Sequence, residues 1–350
     1  MGSPNGQERY RVVQWATGNI GTKAMREVMA HPRLDLVGVH VSNPAKVGVD
    51  AGVLAGLGRS VGVSATGDIA DVLALAPDCV LYMRKGLDPD EVCTLLGAGI
   101  DVVTTAGELH HPPSMDPALR QRVEDACRLG GSSIHSTGSS PGFISEAVPL
   151  VLTSIQRRLD HLRIEEFADL SERPSPDLLF EVMGFGKGPA DFDERRFAHG
   201  AHSFGPSMRQ LADAIGLPLD DVVSTGSVAT ATRDLEIAAG PIAGGTVAAQ
   251  RMVVTGLRGG EPLLGFSAHW YCTREIDADW DLRDTGWRVV VDGDCPLDVE
   301  LRFAIPLERM AETAPGYTAN RAVNALPFVC DAAPGIRTTA DLPQIIAALG

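Results

Sequence analysis

Val12-Val13-Gln14-Trp15-Ala16-Thr17-Gly18-Asn19-Ile20-Gly21 is a short apolar run that breaks on a glycine turn and enters a helical stretch. A strand feeding a helix through such a turn is the arrangement that receives a dinucleotide pyrophosphate. Gly18 lets backbone approach the phosphates, and Gly21 lets the helix pack closely on the strand. The helix start adds unpaired N–H groups and the positive end of its dipole. In Thr22–Ala30, residues Ala24, Val28 and Met29 are spaced to face a sheet, and a second apolar run, Leu34–Val41, follows at the required distance. Ala16 stands at the first glycine position of the usual pattern, so the match is incomplete. Glycine turns between strands and helices are common, and here the context decides. A dinucleotide site is expected, with Thr17, Gly18, Asn19, Ile20 and Gly21 as its phosphate cradle.

Outward from this turn, strands and helices alternate. Strand candidates are Arg11–Trp15, Leu34–Val41, Cys79–Met83, Asp101–Thr105 and Ser132–Ser136. Helices are expected at Thr22–Ala30, Ile69–Leu75, Pro89–Gly97 and Pro117–Leu129. Such alternation implies a parallel sheet with helices on both faces. The pattern changes after Pro141-Gly142: Phe143–Ile155 reads as a connecting helix, and longer strand-like runs follow. These are His161–Asp169, Thr246–Leu257, Pro262–Cys272, Trp287–Asp292 and Leu297–Ala304, with the turn Arg258-Gly259-Gly260-Glu261 suggesting a hairpin. Helices are expected at Ser207–Ile215, Thr318–Leu326 and Thr339–Ala348, the last two returning to cover the first domain. The expected boundaries are residues 1–140, completed by 318–350, for the dinucleotide domain. Residues 141–317 then form a domain for substrate and dimerisation.

Composition narrows the function classes. With 350 residues the chain can bury a sizeable core, and a formal net charge of −15 opposes a general nucleic-acid or anionic-membrane role. Six scattered cysteines without a C-x-x-C pair suggest cytosolic thiols rather than disulfides or zinc ligands. Met1–Arg9 is polar and lacks the apolar core of a secretion signal, and no apolar run reaches membrane-spanning length. A cytoplasmic protein that binds neither nucleic acid nor membrane is expected.

NAD-selective sites carry an acidic residue roughly 20 positions beyond the glycine turn. Here the second strand runs into Val41-Ser42-Asn43-Pro44-Ala45-Lys46, with no carboxylate at its tip. Ser42 and Lys46 suit a ribose phosphate, so NADP(H) is expected as the preferred cofactor and NAD(H) as the alternative. Ordinary polar loop residues, indifferent to that phosphate, are the competing reading.

Strand Asp101–Thr105 ends in Ala106-Gly107-Glu108-Leu109-His110-His111. Ligands of open α/β sheets collect beyond the carboxyl ends of the strands, where Glu108 could stabilise an iminium cation, hold an ammonium or move a proton. A solvated loop acid is the alternative. The histidine pair lacks the companions of a metal site, and no metal is expected. Ser136-Thr137-Gly138-Ser139-Ser140-Pro141-Gly142 would bring backbone amides to a ring or carboxamide, or serve as a plain hinge, and both can hold together. Gly138, Pro141 and Gly142 are assigned to the cofactor, as is Met83 at the end of its strand. Gly184-Phe185-Gly186-Lys187-Gly188 is no phosphate loop of the Walker kind and is read as a flexible loop.

The glycine turn at 12–21, Gly107-Glu108 after its strand and Thr-Gly-Ser-Ser-Pro-Gly-Phe at 137–143 together resemble the dihydrodipicolinate reductase-like superfamily. Within it they most resemble native amine dehydrogenases related to 2,4-diaminopentanoate dehydrogenase. Leu179–Gly186 and Asn324-Ala325-Leu326-Pro327 fit the same resemblance. It implies an α/β protein with an N-terminal Rossmann parallel sheet. The second, α+β domain would contain an open, mostly antiparallel sheet through which a homodimer forms. It also implies NAD(P)H-dependent, reversible reductive amination of small ketones or aldehydes with ammonia, with Glu108 at the catalytic glutamate position. Dihydrodipicolinate reductase activity itself is not expected. Its histidine pair and lysine belong on the first strand of the second domain, where Ile164–Ser171 offers neither.

On this reading hydride adds to an iminium made from a carbonyl compound and ammonia, and Glu108 favours that cation. Phe143, Phe167 and Trp270 are expected to form an apolar wall that excludes water. No carboxylate-binding arginine accompanies the motifs, which favours neutral ketones or aldehydes over keto acids. A carbonyl or imine reductase of the same fold, or a non-catalytic NADP-binding protein, are the alternatives.

Overall fold

A computed structural model describes residues 9–192 and 195–349. The chain divides into two compact units, Met1–Phe143 with Pro315–Gly350, and Ile144–Ala314. In the first unit, strands β1 (Tyr10–Trp15), β2 (Leu34–His40), β3 (Ala65–Thr66), β4 (Cys79–Tyr82), β5 (Asp101–Thr104) and β6 (Ser133–Ser136) alternate with helices. These are α1 (Asn19–Ala30), α2 (Ala51–Leu54), α3 (Ile69–Ala74), α4 (Pro89–Gly97) and α5 (Pro117–Gly130). The chain returns at its end with the helix Pro315–Cys330 and the strand Gly335–Arg337. The seven strands lie in the order Gly335–Arg337, β6, β5, β4, β1, β2, β3, every pair parallel.

Strand alternation explains how this sheet is buried on both faces. Val13, Trp15, Val80, Tyr82, Val102 and Ile134 point to one side and pack with Leu95 of α4 and Val123 of α5. Val12, Cys79, Leu81 and Val103 point to the other, against Ala24 and Val28 of α1 and the returning helix. Met25, rather than the expected Met29, completes the buried face of α1. The end of the chain departs from expectation. Thr339–Ala348 is not helical, although Leu342 and Ile345 still dock on the returning helix's cluster. Pro343 falls in the middle of that stretch and would leave a helix without one N–H.

Asp101, at the start of β5, accepts hydrogen bonds from Ser133 N at 2.6 Å and Ser133 Oγ at 3.0 Å. Burial nevertheless pushes its carboxyl up from 3.8 to about 6. A folded-state value above the unfolded one means that folding favours the protonated acid. Its stabilising contribution is full below 3.8 and is lost as pH rises through about 6. The difference is on the order of 3 kcal/mol. Asp101→Asn is therefore expected to narrow the fall in melting temperature between about pH 4 and pH 7, read by calorimetry across that range. An unchanged slope would assign the fall to other groups.

The second unit contains α6 (Val148–Thr153), β7 (Leu159–Asp169), α7 (Arg195–Ala214), β8 (Asp221–Thr230), β9 (Leu235–Ile237), β10 (Gly240–Ile242), β11 (Val247–Arg258), β12 (Glu261–Tyr271), β13 (Gly286–Gly293), β14 (Leu297–Arg302) and α8 (Leu307–Thr313). Six of the strands form a sheet in the order β14, β13, β7, β12, β11, β8, antiparallel throughout except for the β7–β12 pair. Gly259 and Gly260, both at positive φ, close the expected β11–β12 hairpin. Helix α7 packs across β8, β11 and β12. It begins twelve residues before the expected Ser207, because Pro206 is accommodated inside it. The connector read as a helix over Phe143–Ile155 is a kinked helical segment, Ser139–Ala147, followed by α6.

Candidate active site

The first unit concentrates its chemistry at the carboxyl ends of the parallel strands. At the end of β1 the chain turns through Ala16, whose φ of 69° is left-handed and so strained for a residue with a Cβ. The buried amide of Gln14 holds this turn, its Nε2 donating to the carbonyls of Ala16 at 3.0 Å and Trp15 at 3.2 Å. A Cβ on Gly21 would lie 2.2 Å from the Ala16 oxygen, so only glycine lets α1 start this close to the strand. At Gly18 a Cβ would meet nothing within 4 Å, which leaves open space in front of the backbone.

The helix itself is built to leave its first N–H groups free. Asp50, Asp68, Asp88 and Asp116 cap α2, α3, α4 and α5 with their side chains. Helix α1 begins at Gly18 with no side-chain cap and no acidic residue in its first turn. Thr17, Gly18, Asn19, Ile20 and Gly21 thus combine orphan donors, a positive dipole end and open space. That combination fits a dinucleotide pyrophosphate.

Lys46 joins this turn. Its Nζ donates to Thr17 Oγ1 at 2.9 Å and to the Thr17 carbonyl at 3.1 Å. It is carried there by a short helical turn, Pro44–Lys46, which the Asn43 side chain caps. Ser42 is exposed beyond β2. Two aromatic contacts brace the strand ends: His40 stacks on Trp15 with centroids 3.6 Å apart, and Tyr82 lies 5.6 Å from Trp15. Burial holds the His40 imidazole below its usual value, keeping it neutral against the indole. Met83 follows β4, its N–H bonded to the Trp15 carbonyl at 3.0 Å.

Glu108 leaves the end of β5 on a tight turn, Gly107–His110. The turn is fixed by buried Leu109 and by Ser136 Oγ, which donates to the Ala106 carbonyl at 2.7 Å. The Glu108 side chain is half-buried and forms no hydrogen bond or ion pair among the described residues. The neighbouring strand end, β6, opens into the 137–142 turn. Thr137 N bonds to the Thr104 carbonyl at 2.9 Å, and Phe143 N to that of Gly138 at 2.8 Å. Gly142 has φ 116°, and a Cβ there would meet Thr137 Oγ1 at 2.9 Å. Cradle, glutamate and second glycine turn therefore share one edge of the sheet, which reverses its strand order between β1 and β4.

The expected aromatic wall is corrected. Phe167 on β7 is in register with His269 on β12 and stacks on it at 4.8 Å. Trp270, one residue further, points to the opposite face of that sheet, as alternation requires. Phe143 belongs to the first unit, with the Arg321 guanidinium 5.9 Å from its ring centroid. The sequence reading also missed Gln14 and His40, although a polar amide inside an apolar strand was a visible signal. Among the described residues no cluster of histidine, cysteine or carboxylate side chains could hold a metal, and no helix is long and apolar enough to cross a membrane.

Strand order, glycine turn and uncapped helix define the class: a Rossmann-type dinucleotide-binding protein, with an α+β unit inserted before its last strand. A sequence model of the 2,4-diaminopentanoate dehydrogenase C-terminal domain matches residues 143–350. The amine dehydrogenase of Streptomyces virginiae is 32% identical over 348 residues, covering 95% of each chain. The 2,4-diaminopentanoate dehydrogenase of Acetoanaerobium sticklandii is 24% identical over 364 residues, covering 98% of this chain and 96% of that one. The structure of an amine dehydrogenase from Mycobacterium smegmatis superimposes with a TM-score of 0.77 at 21% identity, covering 97% of both chains. This chain belongs to the family of amine dehydrogenases and 2,4-diaminopentanoate dehydrogenases.

Proposed function

We propose that this protein is an NAD(P)H-dependent amine dehydrogenase, an oxidoreductase acting on CH–NH2 donors. It carries out reversible reductive amination of small ketones or aldehydes with ammonia. The observation that carries the reading is Glu108: a half-buried carboxylate without a partner among the described residues, at the sheet edge that also holds the glycine cradle. An unpaired carboxylate there is free to act on a substrate. Glu108 takes a proton from ammonium, so that free ammonia attacks the carbonyl carbon, and returns it as the carbinolamine loses water. The remaining iminium is a cation, which the carboxylate stabilises. The bound nicotinamide cofactor supplies the hydride in amination and accepts it in the reverse direction.

Thr17, Gly18, Asn19, Ile20 and Gly21 are assigned to the pyrophosphate, and Met83, Gly138, Pro141 and Gly142 to the nicotinamide end. Ser42 and Lys46 are assigned to a ribose phosphate, giving preference for NADP(H) over NAD(H). The Lys46–Thr17 contacts support this, because they hold a cation beside the cradle, on a strand tip, Val41–Lys46, whose own residues include no carboxylate. Lys46→Met is expected to weaken NADP+ binding by about tenfold to a hundredfold, the range of one charge-assisted hydrogen bond. Titration calorimetry with NADP+ and NAD+ checks it. An equal loss for both cofactors would move Lys46 to the pyrophosphate and remove the preference.

The enzyme is proposed to act in the cytoplasm as a homodimer, formed across the helix-free face of the six-stranded sheet. Loss of nicotinamide absorbance with a panel of ketones and aldehydes, with and without ammonium at alkaline pH, tests the central reading. Ammonium-dependent oxidation yielding a primary amine is the expected result. Oxidation indifferent to ammonium would make this a carbonyl reductase.

A further inference from the structure

The amino ends of β4, β5 and β6 form the edge of the parallel sheet opposite the glycine cradle, and two free thiols meet there. Cys79 opens β4 and is wholly buried. It lies in register with Asp101 of β5, so both side chains leave the sheet on the face covered by the returning helix. That helix ends at Cys330, which packs on the same apolar cluster as Cys79. The Cys79 and Cys330 thiols share a hydrogen bond, and Cys330 also donates to the Asp101 carboxyl group.

Contacts on both sides of Cys330 fix it in this place. Ser133 Oγ bridges Asp101 Oδ1 at 3.0 Å and the Val329 carbonyl at 2.7 Å. The Tyr10 hydroxyl donates to Asp331 Oδ1 at 2.5 Å. The residues before and after Cys330 are thus tied to the starts of β6 and β1, which holds its thiol against Cys79. The two thiols differ in access. Cys330 is half-buried and within reach of a small solute, whereas burial holds the Cys79 thiol well above its ordinary value and protects it from an oxidant in water. Other cysteines lack this arrangement: the Cys93 thiol is engaged by the Arg122 carbonyl at 3.8 Å, and exposed Cys295 belongs to the second unit.

We infer that Cys330 is a site of oxidation by hydrogen peroxide and Cys79 its resolving thiol, and that their reversible disulfide fastens the returning helix to β4. Cys330 gives its proton to the Asp101 carboxylate, and its sulfur attacks one peroxide oxygen. The O–O bond breaks, the departing hydroxide takes the proton from Asp101 and leaves as water, and Cys330 becomes a sulfenic acid. The Cys79 thiol then gives its proton to the same carboxylate and attacks the Cys330 sulfur. The S–O bond breaks, the hydroxide leaves as a second water with that proton, and the S–S bond forms. Two thiols and one peroxide give one disulfide and two waters. The bond closes a loop from residue 79 to residue 330, and a crosslink over so long a span strongly restricts the unfolded chain. The inference stands independently of the amine dehydrogenase reading.

The test treats the reduced, full-length protein with hydrogen peroxide, blocks the remaining thiols with N-ethylmaleimide and maps tryptic peptides without reductant. Cys295→Ser serves as the background, removing links between molecules through the exposed thiol. The peptide bearing Cys79 is expected joined to the one bearing Cys330, with a melting temperature higher by about 5 °C, both reversed by dithiothreitol. Cys330→Ser should abolish the shift while melting as the reduced parent does. In Cys79→Ala, which lacks the resolving thiol, peroxide should carry Cys330 on to the sulfinic acid, seen as a gain of two oxygens on its peptide. If Cys79→Ala does not fold, Cys330→Ser carries the test alone. Cys330 left as a thiol, or oxidised in the parent without a linked peptide, overturns the inference. So does a linked peptide with no rise in melting temperature.

Discussion

Glu108→Gln is expected to lower ammonium-dependent turnover by about two to four powers of ten while leaving the dissociation constant for NADP+ within about twofold. The amide keeps the shape of the side chain but can neither accept the ammonium proton nor offset the charge of an iminium. Because Glu108 has no partner among the described residues, the substitution breaks no structural interaction. The melting temperature should not move, which separates a catalytic loss from a folding one. Wild-type rates in Glu108→Gln, or a parallel loss of cofactor affinity, would remove the glutamate from the chemistry.

Gly21→Ala should be the most damaging single methyl in the cofactor unit. Its Cβ would lie 2.2 Å from the Ala16 carbonyl oxygen and 3.1 Å from Gln14 Nε2. Neither atom can yield, since Gln14 Nε2 is bonded to that same oxygen. Helix α1 must lift from β1, at a cost of about 1–3 kcal/mol or more. That corresponds to a melting temperature lower by several degrees. The displaced helix start also misaligns its orphan N–H groups, and NADP+ affinity should fall at least about a hundredfold. Gly18→Ala is the matched control. Its Cβ meets nothing within 4 Å and its φ of −74° suits alanine, so the fold should be unaffected. The added methyl nevertheless occupies the space in front of the backbone, and binding should weaken without a change in melting. Equal melting and equal affinity in both variants would place the cofactor elsewhere.

The contrast between these two glycines shows which parts of the site a reader of the sequence can see. The turn, its helix and the parallel strands are legible because each rests on local signals: apolar runs, glycine spacing and the loop after a strand. Glu108 is legible for the same reason, since it directly follows β5. Contacts made at long range are not. Nothing in Val39-His40-Val41 announces that the imidazole will stack on Trp15, nor does Lys46 signal that its ammonium reaches back to Thr17. The misjudged aromatic wall has a related cause. Phe167 and Trp270 lie far apart in sequence, and whether they share a face depends on a register that one residue of slip reverses. Very short strands such as Ala65–Thr66 and Gly335–Arg337 carry too few residues for alternation to register. Asp221–Thr230 does not read as a strand because Ser224-Thr225-Gly226-Ser227 interrupt its apolar residues in the middle.

The last strand has a consequence for how the molecule is made. Gly335–Arg337 pairs with β6, and Ser133 Oγ on β6 bonds to the Val329 carbonyl of the returning helix at 2.7 Å. On the ribosome the segment bearing the glycine turn emerges before the inserted unit, yet it cannot close its sheet or cover one face until Pro315–Cys330 and Gly335–Arg337 have followed. The inserted unit, Ile144–Ala314, is contiguous and can fold while synthesis continues. The unit whose strands begin to emerge before the insertion is therefore completed after it. Until that helix arrives, Val12, Leu81 and Val103 stay uncovered by it, open to whatever chaperones attend the nascent chain.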